Sequence, residues 1–505
     1  MKPKLRNSMR CGQPVAVLCA AVLCGCALGP DFVRPAPPDS QRYTPEPQAA
    51  ATIAADGLTQ RFEPGTTLLA DWWRLFKSAP LDETVRRALA NNPTLQASEA
   101  RLRQSQEELR AGDGVFYPQV GAGFGGERAR SAPIQQGSAA PGTLFSLVTA
   151  SANVSYVLDV FGGERRTVEG LGAQVQVQRY TARAAYLTLS ANVVNTCIAR
   201  AAYAAQIHAT EELIALETEQ LRSAEVQVRS GTVPYANVLS QRSLIAANQA
   251  LLAPLRQKIS QADHLLMLLQ GVAPDQIPPP EIELASLTLP LDLPLSLPSE
   301  LVRQRPDILA AEAQLHVASA NVGVATAAQY PSFTLNATYG AAGSSLGNLA
   351  SPAGRFWSVG PSLLAPLFRG GSLQAQRQAA VDAYDVQQAN YRQTVLAAFA
   401  QVADALKALE HDAQALQAQV DARRAAGEAL QLLQATYRAG LVAYVDVLTA
   451  DVQYHTAAIA YLQALAQRHQ DTVALFVALG GGWWNAPDAA SIIKARDEAG
   501  EGRTP

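Results

Sequence analysis

The sequence predicts a mainly α-helical, internally duplicated chain whose few β-strands belong to a membrane β-barrel. Three observations carry this. First, motifs return after about 210 residues, a period that marks duplication of a large unit. Phe116-Tyr117-Pro118-Gln119-Val120 returns as Gln329-Tyr330-Pro331-Ser332-Phe333, and Phe161-Gly162-Gly163 as Phe368-Arg369-Gly370-Gly371. Val228-Arg229-Ser230-Gly231-Thr232 returns as Tyr437-Arg438-Ala439-Gly440-Leu441. Second, each half holds two segments in which apolar and small polar residues alternate. Third, each half holds a stretch of almost seventy residues without proline.

At the start of the chain, Lys2, Lys4, Arg6 and Arg10 supply positive charge with no acid among them, and Val15 to Leu23 is an apolar run too short for a comfortable membrane span. It ends in Leu23-Cys24-Gly25-Cys26, the pattern of a bacterial lipoprotein signal. Residues 1–25 are therefore expected to be removed and Cys26 to carry a covalent lipid; no other cofactor is expected. Ala27, rather than Asp, favours sorting to the outer membrane. Cys11, Cys19 and Cys24 lie in the signal, so the mature chain keeps Cys26 and a lone Cys197, which is expected to pack as a small apolar group. No disulfide and no paired-cysteine zinc site follow from such usage.

Residues 26–80 read as a lipidated, extended N-terminal segment, in which Pro30 to Gln60, rich in Pro and Ala, is a tether. Repeat 1 covers 81–271, with helical patterning from Leu81, a local break at Asn92-Pro93, a β-hairpin at about 115–161 and a long helical hairpin over 164–270. A Pro- and Leu-rich linker, 272–298, reads as an irregular strap. Repeat 2 covers 299–482, with a β-hairpin at about 329–368 and a helical hairpin over 372–480. Residues 483–505 are expected to form a disordered tail in which Trp483 and Trp484 still have partners.

The strand segments have one apolar and one small polar face. Val120, Ala122 and Phe124 alternate with Gln119, Gly121 and Gly123; Ala150, Ala152, Val154 and Tyr156 alternate with Ser151, Asn153 and Ser155. The second half repeats this in Phe333 to Ala341 and in Trp357 to Ala365. Gly-, Ser- and Pro-rich loops are expected at about 128–143 and 342–354. Four strands cannot close a barrel, and an open edge in lipid leaves backbone groups unpaired. In a membrane such a chain must oligomerise, and a conducting role favours three copies or more, because eight strands are filled by their own side chains.

Nearly seventy residues of helix extend about 100 Å. In the second long stretch Val381, Gln388, Val395, Val402 and Leu409 repeat every seven residues beside Tyr384, Tyr391, Ala398 and Ala405, which is coiled-coil spacing. At the turns, Gly231 and Gly440 allow the positive φ of a helix C-terminus, and Arg229 and Arg438 are suited to the last carbonyls.

Composition excludes several classes. A formal net charge of −3, with 16% charged residues, leaves no basic footprint for nucleic acid. There is no phosphate-binding GxxxxGK[ST] loop and no HExxH. The six histidines, His208, His264, His316, His411, His455 and His469, form no sequence cluster with Cys or acids and read mostly as helix-surface residues. No catalytic residue and no metal site are expected, and the chain is not expected to be an enzyme.

Taken together these residues resemble the TolC/NodT-type outer-membrane factors, the exit ducts of bacterial tripartite efflux pumps. The likeness rests on Cys26 to Pro35 (CALGPDFVRP), Asp71-Trp72-Trp73-Arg74-Leu75-Phe76, Arg303-Gln304-Arg305-Pro306-Asp307-Ile308 and Tyr437-Arg438-Ala439-Gly440. It implies a homotrimer with one 12-stranded barrel in outer-membrane lipid and a hollow periplasmic α-barrel of long helical hairpins. It also implies two partners, a periplasmic adaptor and an inner-membrane transporter of the resistance-nodulation-division class, and a cargo of drugs or other small toxic compounds. A protein-secretion or metal-ion efflux duct is the alternative within this fold, and a non-channel periplasmic coiled-coil lipoprotein the alternative outside it.

By the same resemblance the adaptor docks at Arg229, Gly231, Thr232, Arg438, Gly440 and Leu441. Acidic residues just past the second tip ring a periplasmic constriction. Asp446 fits that pattern best, with Tyr444 and Asp451 beside it. Thr449 stands where relatives carry a second acid, and Asn237 is the uncharged first-repeat counterpart of Asp446. Three carboxylates converging on a duct favour cations over anions.

Overall fold

A computed structural model describes residues 27–485, except 38–39, 41, 67, 133–136, 138–140, 277 and 279. The signal segment, Cys26 and the tail beyond 485 lie outside the described residues. In chain order the elements are β1 (Arg61–Pro64), α1 (Ala79–Asn91), α2 (Pro93–Asp113), β2 (Gln119–Arg130), β3 (Leu144–Leu158), α3 (Gly163–Arg229), α4 (Tyr235–Leu269), β4 (Asp292–Leu295), α5 (Pro298–Gln304), α6 (Pro306–Ala327), β5 (Ser332–Gly343), β6 (Arg355–Leu364), α7 (Ser372–Arg438) and α8 (Tyr444–Ala478). The duplication is kept to the residue in the hairpins: α3 and α7 each have 67 residues, and α4 and α8 each have 35. Among the described residues no helix is long and apolar enough to cross a membrane.

The chain divides into two compact units. One contains a four-stranded antiparallel sheet in the order β2-β3-β5-β6, so the two repeats meet along β3 and β5. Its register lines up the predicted faces. Val120, Val154, Ala337 and Val359 form one row, and Ala122, Ala152, Tyr339 and Trp357 the next. On the other face Gly121, Asn153, Thr338 and Ser358 form a row, with Thr338 Oγ1 donating to Asn153 Oδ1 at 3.0 Å. Among the described residues nothing in the unit covers the apolar face: Val120 and Trp357 are each 74% exposed. β2 continues to Arg130, past the last alternating residue, because pairing with β3 needs backbone groups only.

In the same unit, residues 27–35 are pinned to helices. Leu28 N–H donates to Phe161 O at 3.0 Å, just past β3. Arg166 of α3, buried, donates to Asp31 at 2.6 Å and to Glu169 at 2.7 Å. Phe32 stacks on His316 at 4.3 Å, and Arg34 donates to Glu312 at 2.6 Å. Gly29 has φ +94°, and a Cβ there would meet the Gly323 backbone at 2.4 Å. A tether was expected here; the ion pairs and the close glycine approach make it a docked strap instead.

The second unit shows the same correction. β1 pairs in parallel with β4, so the segment before the first repeat and the linker between repeats share a small sheet. Arg468 of α8, fully buried, donates to Gln60 Oε1 at 3.0 Å and to the carbonyls of Ala55 and Leu58, both at 3.2 Å. Trp72, Trp73 and Phe76 form a buried 3-10 turn, with Trp72 against Phe476 at 5.7 Å. Asn92 ends α1, and its Oδ1 accepts from Thr94 N–H at 2.9 Å to start α2. Arg305 forks onto Asp307 and donates to Ala478 O at 2.9 Å, while Trp483 Nε1 donates to Gln304 O at 2.7 Å. Cys197 is buried, and burial pushes its thiol up to about 12. The histidines differ from expectation: His316 and His455 are half-buried and His469 is buried, where burial pushes it down to about 4.

Candidate functional site

Both helical turns are built by the same backbone device. At the first, Gly231 has φ +74°; its N–H donates to Val228 O at 3.0 Å, and Thr232 N–H donates to Gln227 O at 2.9 Å. At the second, Gly440 has φ +75°; its N–H donates to Tyr437 O at 2.9 Å, and Leu441 N–H donates to Thr436 O at 3.0 Å. This pair of bonds closes a helix at a left-handed residue and satisfies its last carbonyls. Arg229 and Arg438, expected to serve those carbonyls, are exposed, and the backbone amides meet the carbonyls instead. Their guanidinium groups are thus presented outward, beside exposed Gly231, Thr232, Gly440 and Leu441.

The side chains differ between the turns. Thr232 Oγ1 and Ser230 Oγ both donate to Gln227 O, at 2.8 and 2.9 Å. The second turn has Ala439 and Leu441 in these places, and Leu441 is 75% exposed. The first tip is a polar turn, the second an apolar one.

Past the second turn Asp446 is exposed, and its Oδ2 accepts the Ala443 N–H at 3.1 Å. It caps α8 from the third helical position, where a carboxylate also meets the positive end of the helix dipole. Thr449 is exposed and donates back to Val445 O at 2.8 Å. Asn237 is half-buried in the first turn of α4. Tyr444 leaves the surface: its hydroxyl donates to Gln241 Oε1 at 2.5 Å, and its ring lies 5.1 Å from Tyr437. Burial, then Tyr437, raise its pKa. Asp451, expected beside Asp446 at the constriction, is instead buried at 1% exposure and meets Glu217 of α3. Sequence reasoning passed over Glu217. The signal was there: Gln206, Thr210, Leu213, Glu217 and Ala224 are buried at coiled-coil spacing, which puts an acid at a seam position.

A sheet exposed on both faces and two duplicated helical hairpins of equal length define a class of channel-forming protein. The chain belongs to the outer membrane efflux protein family: the family model with that description matches residues 84–272 and 297–481. It is 30% identical over 416 residues to the pyoverdine export outer membrane protein OpmQ of Pseudomonas putida, covering 82% of this chain and 88% of that one. It is 28% identical over 467 residues to the cation efflux system protein CusC of Escherichia coli, covering 92% and 98%. The solved structure of the outer-membrane channel OprN superimposes with a TM-score of 0.81 at 26% identity, covering 91% of this chain and all of that one. This is a protein of the bacterial outer membrane.

Proposed function

We propose that three copies of this chain close one 12-stranded barrel and act as a passive duct, carrying drugs or other small toxic compounds out across the outer membrane. The observation that carries this reading is the sheet. Its strands have 12, 15, 12 and 10 residues, enough to span a bilayer. Its apolar face is uncovered, and β2 and β6 are open edges within one chain. Neighbouring protomers pairing β6 with β2 remove those edges, and lipid covers the apolar face. The Gly, Ser, Thr and Asn face then lines a wet lumen. The bond from Leu28 to Phe161 supports a lipid on Cys26 at the same membrane surface.

On this reading the hairpins form a hollow α-barrel in the periplasm. The exposed tips, Arg229, Gly231, Thr232, Arg438, Gly440 and Leu441, receive a periplasmic adaptor that joins the duct to an inner-membrane transporter of the resistance-nodulation-division class. Asp446, with Thr449 beside it, faces the axis, and Tyr444 and Asn237 support the constriction. Heat-resistant trimers are expected in detergent extracts of outer membrane. In planar bilayers Asp446→Ala is expected to raise single-channel conductance and weaken cation selectivity. A purified protein that is monomeric and water-soluble without its acyl group overturns the duct; unchanged conductance and selectivity remove Asp446 from the gate. The relative named for cation efflux supports metal ions as a second cargo, and susceptibility of a deletion strain to drugs against transition-metal ions separates the two.

A further inference from the structure

We infer that Glu217 and Asp451 form a proton-held latch between the two helical hairpins, closed while the pair shares a proton and loosened when it leaves. Glu217 sits on α3 and Asp451 on α8, at 0% and 1% exposure, with their carboxyl groups near enough to act on one another. Asn248 Nδ2 donates to Glu217 Oε1 at 2.7 Å. Among the described residues, Glu217 Oε2 and both Asp451 carboxyl oxygens meet no donor. Two ionised carboxylates touching in a buried seam repel each other and lack hydration. A single proton on the pair supplies the missing donor: one carboxyl O–H then donates to the other carboxylate.

The other groups bearing on the pair do not replace that proton. Tyr444 of α8 donates to Gln241 of α4, whose Nε2 donates to Glu217 O at 3.0 Å. Tyr437 of α7 packs on Tyr444. His455 of α8 pairs with Thr210 of α3 at 3.2 Å, and burial lowers its pKa from the ordinary histidine value. Arg242 of α4 is exposed and bonded to Glu225 at 2.8 Å. The latch also breaks the internal symmetry, because the repeat counterparts of Glu217 and Asp451, 209 residues away, are Ala426 and Arg242. It holds one hairpin junction and has no twin at the other.

Burial, and then the neighbouring acid, push Glu217 up to about 8, and burial raises Asp451 as well. In separated, hydrated hairpins the ordinary values are 4.5 for Glu217 and 3.8 for Asp451. The latched state therefore binds more protons than the loosened one between those values. Raising pH through this window weakens the latch by about tenfold in its closed-to-open ratio per unit, and above the upper value nothing further changes.

The inference rests on the proposed reading of the chain as a duct constricted near its helical tips. Its test is amide hydrogen exchange of residues 210–217 and 447–455 in the full-length protein in detergent, corrected for intrinsic rates, across pH 5 to 9. Wild type is expected to lose protection as pH rises and to level off above about 8. Glu217→Gln, which gives Asp451 a permanent donor, is expected to be flat, and Asp451→Asn serves as the second variant. Flat protection in wild type, or an equal loss in both variants, overturns the latch. Conductance of the same preparations separates the two ideas: pH-dependent protection without channels leaves the latch and removes the duct, and channels with flat protection do the reverse.

Discussion

Tyr235 and Tyr444 occupy equivalent places 209 residues apart, each opening a 35-residue helix after a glycine turn of the same backbone geometry. Tyr235 is 54% exposed, whereas Tyr444 turns inward and bonds to Gln241 of the other hairpin. The same divergence runs through the tips: Thr232 against Leu441, Asn237 against Asp446, exposed Arg242 against buried Asp451. Duplication preserved what the backbone needs and let the side chains specialise. The second hairpin carries Asp446 and Asp451 just past its tip, where the first carries Asn237 and Arg242.

Three substitution pairs break or sharpen that contrast, from the largest effect downward. Gly231→Ala and Gly440→Ala are each expected to cost about 1–2 kcal/mol of local stability, because an L side chain resists positive φ. A Cβ at either position meets nothing within 4 Å, so the cost is purely conformational and equal at the two tips. Amide exchange at residues 232 and 441 reads it, and unequal costs contradict a shared backbone device. Next, Tyr444→Phe is expected to cost about 1 kcal/mol by stranding Gln241 Oε1, and Tyr235→Phe only a few tenths; urea unfolding of the pair compares them. The smallest effect belongs to the caps. Asp446→Asn is expected to cost about 0.5 kcal/mol in the first turn of α8, and Asn237→Asp to stabilise α4 by a similar or smaller amount, both fading at high salt. Helical protection of residues 236–240 and 445–449, followed against ionic strength, decides this.

Much of the layout was legible without coordinates. Proline-free stretches bounded by glycine gave both long helices, since proline would have broken them and glycine ends them. Alternation gave the two faces of the sheet, because strand side chains alternate by geometry. The tip glycines were legible for the same local reason. The interior pairings were not. The bond from Arg305 to Ala478 O and the grip of Arg468 on Gln60 join residues far apart in sequence. Asp451 reads as one more acid beside Asp446 until burial separates them.

By itself the sequence determined the duplication, the element types, the turns and the two-faced strands, all of which follow from φ restrictions and side-chain period acting over a few residues. Only the tertiary structure decided that β1 joins β4, that the N-terminal strap is docked rather than free, and that Glu217 meets Asp451. Those depend on which surfaces come together at long range, and burial, which sets the cost of a charge, exists only once they have.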